Sequence, residues 1–259
     1  MIFFHQIILL KNNNVQKIAL FVEGLTEAAF IRTLLLTFLK ADRISIIFIT
    51  LGSSSAKSPH DHKSPSPTLY FLIINVGGDG NVLGSIKDRE KRLLEEGYLK
   101  IIGLQDLNCD EYDKLSRGTI DNSVTSKFIK GRREVITQMS IPDKIKFFFS
   151  IMEIEAWFLS LPKAIYRVDP DLNKTSVKFI CKKDLESVNP ETEFYKPSSV
   201  LESIYASVNK KYNKSLSCVL SLTNKIQRKD IEELLQSNKC SAFKVFFNEI
   251  MLGNESLKT

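Results

Sequence analysis

Lys17-Ile-Ala-Leu-Phe-Val-Glu-Gly-Leu-Thr-Glu-Ala-Ala-Phe-Ile-Arg32 decides the fold. Ile18 to Val22 is a run of β-favouring apolar residues that stops at Glu23-Gly24, and helix formers follow Thr26 to about Lys40. This spells strand, tight turn, helix. In an open α/β sheet, ligands bind at the carboxyl ends of the strands, so Glu23 is a candidate site residue. Gly24 suits a turn that needs positive φ or close backbone approach. Thr26 and Glu27 suit the first helical turn, where Glu27 reads equally well as a capping acid.

The pattern recurs downstream. Ile44–Leu51 and Leu69–Val76 read as strands, the second apolar enough to be buried on both faces of a parallel sheet. Gly77-Gly78-Asp79-Gly80 then leads into a helix at about Asn81–Glu96, and Gly78 and Gly80 are candidate phosphate contacts through their amides. Ser53–Thr68 is a proline-containing loop. Its His60 and His62 lack partner ligands and read as solvated.

Lys100–Leu104 is a fourth strand ending in Gln105-Asp106-Leu107-Asn108-Cys109-Asp110. Alternate residues of an extended chain share a side, so Asp106 and Asn108 match a divalent-ion site. An acidic turn closed by Asx bonding explains the same residues without a ligand. Lys144–Ile151 is a fifth strand, and Glu153 and Glu155 open the apolar helix behind it. Those acids either reach the crevice or favour the positive helix end. Trp157 reads as a core anchor. Lys127, Lys130, Arg132 and Arg133 lie on a basic helix within Glu111–Gln138, which suits a phosphate backbone or plain solvent.

With Val-Glu-Gly-Leu-Thr-Glu at 22–27 and Asp-Leu-Asn at 106–108, the chain resembles the Toprim fold of topoisomerases, primases and OLD-type nucleases. More closely, with Gly-Gly-Asp-Gly at 77–80 and Glu-Ile-Glu-Ala-Trp at 153–157, it is similar to a bacterial Toprim-like family catalogued as domain of unknown function 4276. The resemblance implies a Toprim-like (Rossmann-like), mostly parallel α/β sheet flanked by helices. It implies Mg2+ or Mn2+ as cofactor and metal-dependent hydrolysis of DNA or RNA, with Glu23, Asp106, Glu153 and Glu155 catalytic and Glu23, Asp106, Asn108 and Asp110 holding metal. Lys214, in a Tyr-x-Lys element from Tyr212, joins Gly24, Gly78 and Gly80 as a phosphate contact. Asn108 departs from the pattern, which has a second aspartate there. OLD-type nucleases also carry an ATPase, and the absence of a P-loop implies a separate ABC-type or AAA-type ATPase partner in anti-phage defence. The alternatives are a non-catalytic subunit that binds nucleic acid or that ATPase, and a sugar- or nucleotide-binding enzyme using the Gly77–Gly80 turn.

At 43% hydrophobic and 25% charged over 259 residues, the chain has the composition of a globular protein with a sizeable core. Its net charge of +6 favours a polyanionic partner. Cys109, Cys181, Cys218 and Cys240 form no Cys-x-x-Cys pair, so reduced thiols and a cytoplasmic setting are expected. The apolar start, Met1 to Leu10, lacks a basic lead and is too short to span a bilayer. Residues 1–16 are expected to be an extension, 17–165 the α/β domain, and 166–259 a lysine-rich helical appendage, with helices at about Ser176–Ser187, Ser198–Tyr212, Val219–Ser237 and Ala242–Leu252. Homo-oligomerisation is compatible with this organisation.

Overall fold

The computed structural model describes residues 15–52, 58–78 and 81–251. The expectations for residues 1–14 and for Gly80 fall outside the described residues.

Strand β1 (Gln16–Val22) lies at the centre of a five-stranded sheet of order β2-β3-β1-β4-β5, with β2 at Ile44–Thr50, β3 at Leu69–Asn75, β4 at Tyr98–Asp106 and β5 at Ile145–Ser150. All four neighbouring pairs are parallel. Parallel strands need crossovers that cover both faces, which is why the strand sequences are nearly continuous apolar runs.

The pleat divides those runs. Ile18, Leu20 and Val22 pack on one side with helix α1 (Leu25–Phe38), whereas Ala19 and Phe21 pack on the other with α2 (Val82–Lys87) and α3 (Glu90–Glu95). The single helix expected over 81–96 is therefore two. At the break the Arg89 guanidinium takes the Ser85 carbonyl at 3.2 Å, while the Arg89 amide turns to Ile86 O at 2.9 Å instead of completing the i−4 bond. Beyond β4 come α4 (Asp110–Ser116) and α5 (Asn122–Thr137), and Ile136 of α5 joins the second face.

Gly103 of β4 is where this second face is tightest. An added Cβ would meet the Phe147 ring at 2.6 Å and Ile86 Cδ1 at 2.9 Å. Gly103→Ala is expected to cost about 1–3 kcal/mol by overpacking. Urea denaturation should show a lower midpoint at unchanged slope, and an unmoved midpoint would contradict the packing described.

The remaining helices are α6 (Glu155–Leu159), α7 (Pro162–Tyr166), α8 (Lys174–Cys181), α9 (Pro190–Glu193), α10 (Pro197–Ala206), α11 (Leu216–Thr223), α12 (Arg228–Gln236) and α13 (Ser241–Met251). All but α9 share one apolar core with α1 and the even-numbered side of β1. Trp157 is fully buried there, stacked on Phe246 at 5.5 Å and edge-on to Phe243 at 5.3 Å, and its indole N–H donates to Glu191 Oε1 at 2.9 Å. It is a core anchor, as its sequence context suggests. The helix expected to run to Tyr212 stops at Ala206 because Asn209 adopts a left-handed φ of 56°, with Lys210 N donating to Tyr205 O and Asn209 N to Ala206 O. That pair of bonds is a Schellman stop. No helix among the described residues is long and apolar enough to cross a membrane.

Candidate functional site

Strands β1 and β4 are neighbours, with Val22 opposite Leu104. The chain leaves β1 towards the β3 side of the sheet and leaves β4 towards β5, so the crevice above this pair is where loops diverge and ligands fit. Glu23 follows the last residue of β1, and Asp106 is the last residue of β4. The Asp106 amide donates to Glu23 Oε2 at 3.3 Å. The two acids therefore stand on the same rim.

A second pair of loops fixes Asp106. Its Oδ1 accepts from Ser150 Oγ at 2.5 Å and from the Ile154 amide at 3.0 Å. Leu107 N donates to Ser150 O and Asn108 N to Met152 O, which joins the loop after β4 to the loop after β5. Met152, fully buried, holds a left-handed φ of 63°. For a non-glycine residue that conformation costs on the order of 1–3 kcal/mol and persists where its surroundings enforce it. Here it delivers Ile154 N to Asp106 and sends Glu153 and Glu155 back over the crevice.

Glu153 accepts from Ser198 N at 2.8 Å and Ser198 Oγ at 3.0 Å, in the first turn of α10. Glu155 Oε1 accepts from the Tyr212 hydroxyl at 2.8 Å. Lys214, itself at φ 52°, reaches Glu155 Oε2 at 3.2 Å and Glu153 Oε1 at 3.4 Å. Glu27, in the first turn of α1, is only 4% exposed, and its Oε2 lies 3.2 Å from where a Cβ on Gly24 would sit. Gly24 has an extended φ of −149°, so positive φ is not the reason for glycine there, and what a side chain would meet is the Glu27 carboxylate.

The electrostatics follow from this crowding. Burial pushes the Glu27 carboxyl up to about 7, against its backbone hydrogen bond and with help from Glu155 and Glu23. Burial also raises Asp106 well above the usual carboxylate range, with Glu27 and Glu155 adding to the effect and Lys214 opposing it. Glu155 is raised by burial, partly offset by Lys214. At Lys214 burial opposes the charge, but the fields of Glu155, Asp106 and Glu153 outweigh it and raise the pKa. The crevice thus holds more negative charge than its lysine neutralises.

A family model described as domain of unknown function (DUF4276) matches residues 22–250. The chain belongs to this family. In this DUF4276 protein the match begins at the end of β1 and takes in Glu23, Glu27, Asp106, Glu153, Glu155 and Lys214. No curated protein and no solved structure matches the chain.

Of the expected site residues, Glu23, Asp106, Glu153, Glu155 and Lys214 come together. Asn108 sits past the end of β4, half-buried, and joins the site through its backbone. Asp110 is exposed in the first turn of α4, where a carboxylate favours the helix dipole. Gly78 is exposed, with open space around it. His62 is engaged at the edge of β2, its Nε2 2.7 Å from Ala41 O. Sequence reasoning left out Glu27, Ser150 and Ser198 as site members. For Ser150 a signal existed, because it is the polar residue closing the aromatic strand Ile-Lys-Phe-Phe-Phe-Ser.

Among the described residues no three His, Cys, Asp or Glu side chains stand ready to hold a metal. The donor chemistry nevertheless fits a hard cation, because Glu23, Glu27 and Asp106 offer carboxylate oxygen in a site whose own charge is unbalanced. Loading would have to displace protons from Glu27 and Asp106.

Proposed function

We propose that the chain is a metal-dependent, Toprim-like nuclease that hydrolyses phosphodiester bonds in DNA or RNA. The observation that carries this reading is the meeting of Glu23 and Asp106 at one sheet rim, with Glu27 and Glu155 crowded against them and burial pushing the carboxyls of Asp106, Glu27 and Glu155 towards their protonated forms. Excess buried carboxylate at a strand-end crevice is what a divalent ion and a phosphate would jointly relieve.

Glu23 and Asp106 would hold Mg2+ or Mn2+, with Glu27 joining once deprotonated. The bound ion would screen the phosphate and acidify a water. Ser150 and Ile154 N immobilise one oxygen of Asp106, which leaves its orientation fixed while the other oxygen serves as donor. A remaining glutamate of the cluster would accept that water's proton. Lys214 supplies the positive charge that a phosphate oxygen needs.

The test is incubation of the purified chain with single- and double-stranded DNA and with RNA, in Mg2+, Mn2+ or EDTA. Cleavage that requires the cation and disappears in Glu23→Ala supports the reading, and cleavage surviving both Glu23→Ala and Asp106→Ala removes it. Mg2+ should also raise thermal stability, by about 2.7 kcal/mol at one hundred times its Kd. At a fixed Mg2+ concentration the gain should be larger at pH 8 than at pH 6, because Glu27 at about 7 keeps its proton at the lower pH and so weakens binding. Equal gains at both pH values would count against Glu27 as a ligand.

A second reading, a non-catalytic subunit that binds nucleic acid or an ATPase, is favoured by Asn108 standing where the Toprim pattern has an acid. It would show salt-sensitive binding without cleavage. By resemblance to OLD-type nucleases, the proposal extends to a separate ABC-type or AAA-type ATPase and a cytoplasmic role in anti-phage defence. Co-purification from the native host without any ATPase would count against that extension.

A further inference from the structure

Strand β5 forms one border of the sheet, paired with β4 alone. At the opposite border β2 is partly covered, since Ile46 exchanges backbone hydrogen bonds with His62 at 2.7 and 2.9 Å and Phe48 N donates to Asp61. Among the described residues no backbone bond covers the outer side of Lys146–Phe149. Instead a groove of about 810 Å3 runs along β5, between α5 and α13. An uncovered strand edge beside a groove is a template for another extended segment.

The walls say what chemistry that segment carries. Ile129 and Val245 leave apolar surface open, 39% and 59% exposed. The lining acids are largely engaged within the fold. Glu191 takes the Trp157 indole and the amides of Ala242 and Phe243, and Glu249 is paired with Lys100 at 2.6 Å. The lining cations are not. Arg132, Arg133 and Lys146 have no ion pair among the described residues, and Arg132 Nε is buried without a hydrogen-bond partner. A buried donor without an acceptor costs free energy that an incoming anionic group would recover.

We propose that this groove is the docking site for an extended peptide segment of a partner protein, alternating apolar and acidic side chains, which adds to β5 as a sixth strand. Apolar side chains would face Val245 on the α13 side, and the alternate carboxylates would meet Arg132 and Arg133 on the α5 side. A second copy presents the same concave face and leaves a gap against it. A nucleic-acid strand offers no peptide groups to satisfy the sheet edge.

The test uses the full chain and a fluorescein-labelled eight-residue peptide of alternating valine and glutamate, read by fluorescence anisotropy and by amide hydrogen exchange of 145–150. Binding should slow exchange along β5, and the Arg132→Glu/Arg133→Glu variant should bind at least tenfold more weakly while keeping its circular dichroism. Two unaltered-protein controls guard against a misfolded variant. The valine–lysine peptide, and the valine–glutamate peptide N-methylated along one edge, should each bind at least tenfold more weakly. Equal binding of either control overturns the proposal, as does no binding at millimolar peptide. Protection of β5 by single-stranded DNA, or by the chain alone before peptide is added, overturns it too, since the groove then has another occupant. None of these readouts depends on nuclease activity.

Discussion

Asp106→Asn is expected to leave a protein that folds at least as well as the parent above neutral pH but hydrolyses phosphodiesters about a thousandfold more slowly, a loss of about 4 kcal/mol in transition-state stabilisation. The amide keeps an oxygen for Ser150 Oγ and Ile154 N, so the bonds that join the loops after β4 and β5 survive. What disappears is the charge. Because burial and the neighbouring Glu27 and Glu155 hold the Asp106 pKa well above the ordinary range, its ionised form is a burden on the folded state. Asp106→Ala makes the useful contrast, because it also strands Ile154 N, at about 1–3 kcal/mol for an unsatisfied buried group, and leaves Ser150 Oγ only its 3.4 Å bond to Gln105 O. The measurement pairs single-turnover cleavage with urea midpoints at pH 6 and 8. Activity within tenfold of the parent in Asp106→Asn would remove Asp106 from the chemistry, whatever the fold does.

Much of the scaffold behind this site is written locally. The runs at Ile18–Val22, Ile44–Leu51, Leu69–Val76 and Lys144–Ile151 each became a parallel strand to within a residue or two, because a strand buried on both faces can contain little but apolar residues. Glu23 and Asp106 were legible for the complementary reason, as carboxylates at the point where such a run ends. Glu27 was not. Its first-turn position reads equally well as a capping acid, and only in the folded chain do burial and the field of Glu155, from far along the sequence, raise its pKa, with Lys214 opposing them. The same holds for Asn108 and Asp110. An alternating ligand pattern assumes that the strand continues, but β4 ends at Asp106, and the following residues turn to bond Met152 and to start α4. The C-terminal helices read as a polar, lysine-rich appendage packed beside the sheet because each shows the sequence only one apolar stripe, and those stripes meet around Trp157 in the core that α1 also fills.

Glu27→Gln should stabilise the protein at alkaline pH and do nothing for it in acid. The Glu27 carboxyl rises from an ordinary 4.5 to about 7 on folding, chiefly through burial. Between those values the folded state retains a proton that the unfolded chain has released, so stability falls as pH climbs from the lower to the higher. Above pH 7 the whole cost is present, on the order of 3 kcal/mol for a shift of this size. Glutamine carries no charge to desolvate. Urea midpoints of the variant should therefore exceed those of the parent at pH 8, by up to about 3 kcal/mol in free energy, and converge with them near pH 4. Mg2+ should reverse the ranking at pH 8, since the parent recovers its burden by binding the cation and the variant has one fewer anionic donor. A variant no more stable than the parent at pH 8 without metal would mean that Glu27 is adequately solvated or paired there. The electrostatic argument for a cation in this crevice would then lose one of its two strongest supports, leaving Asp106 alone.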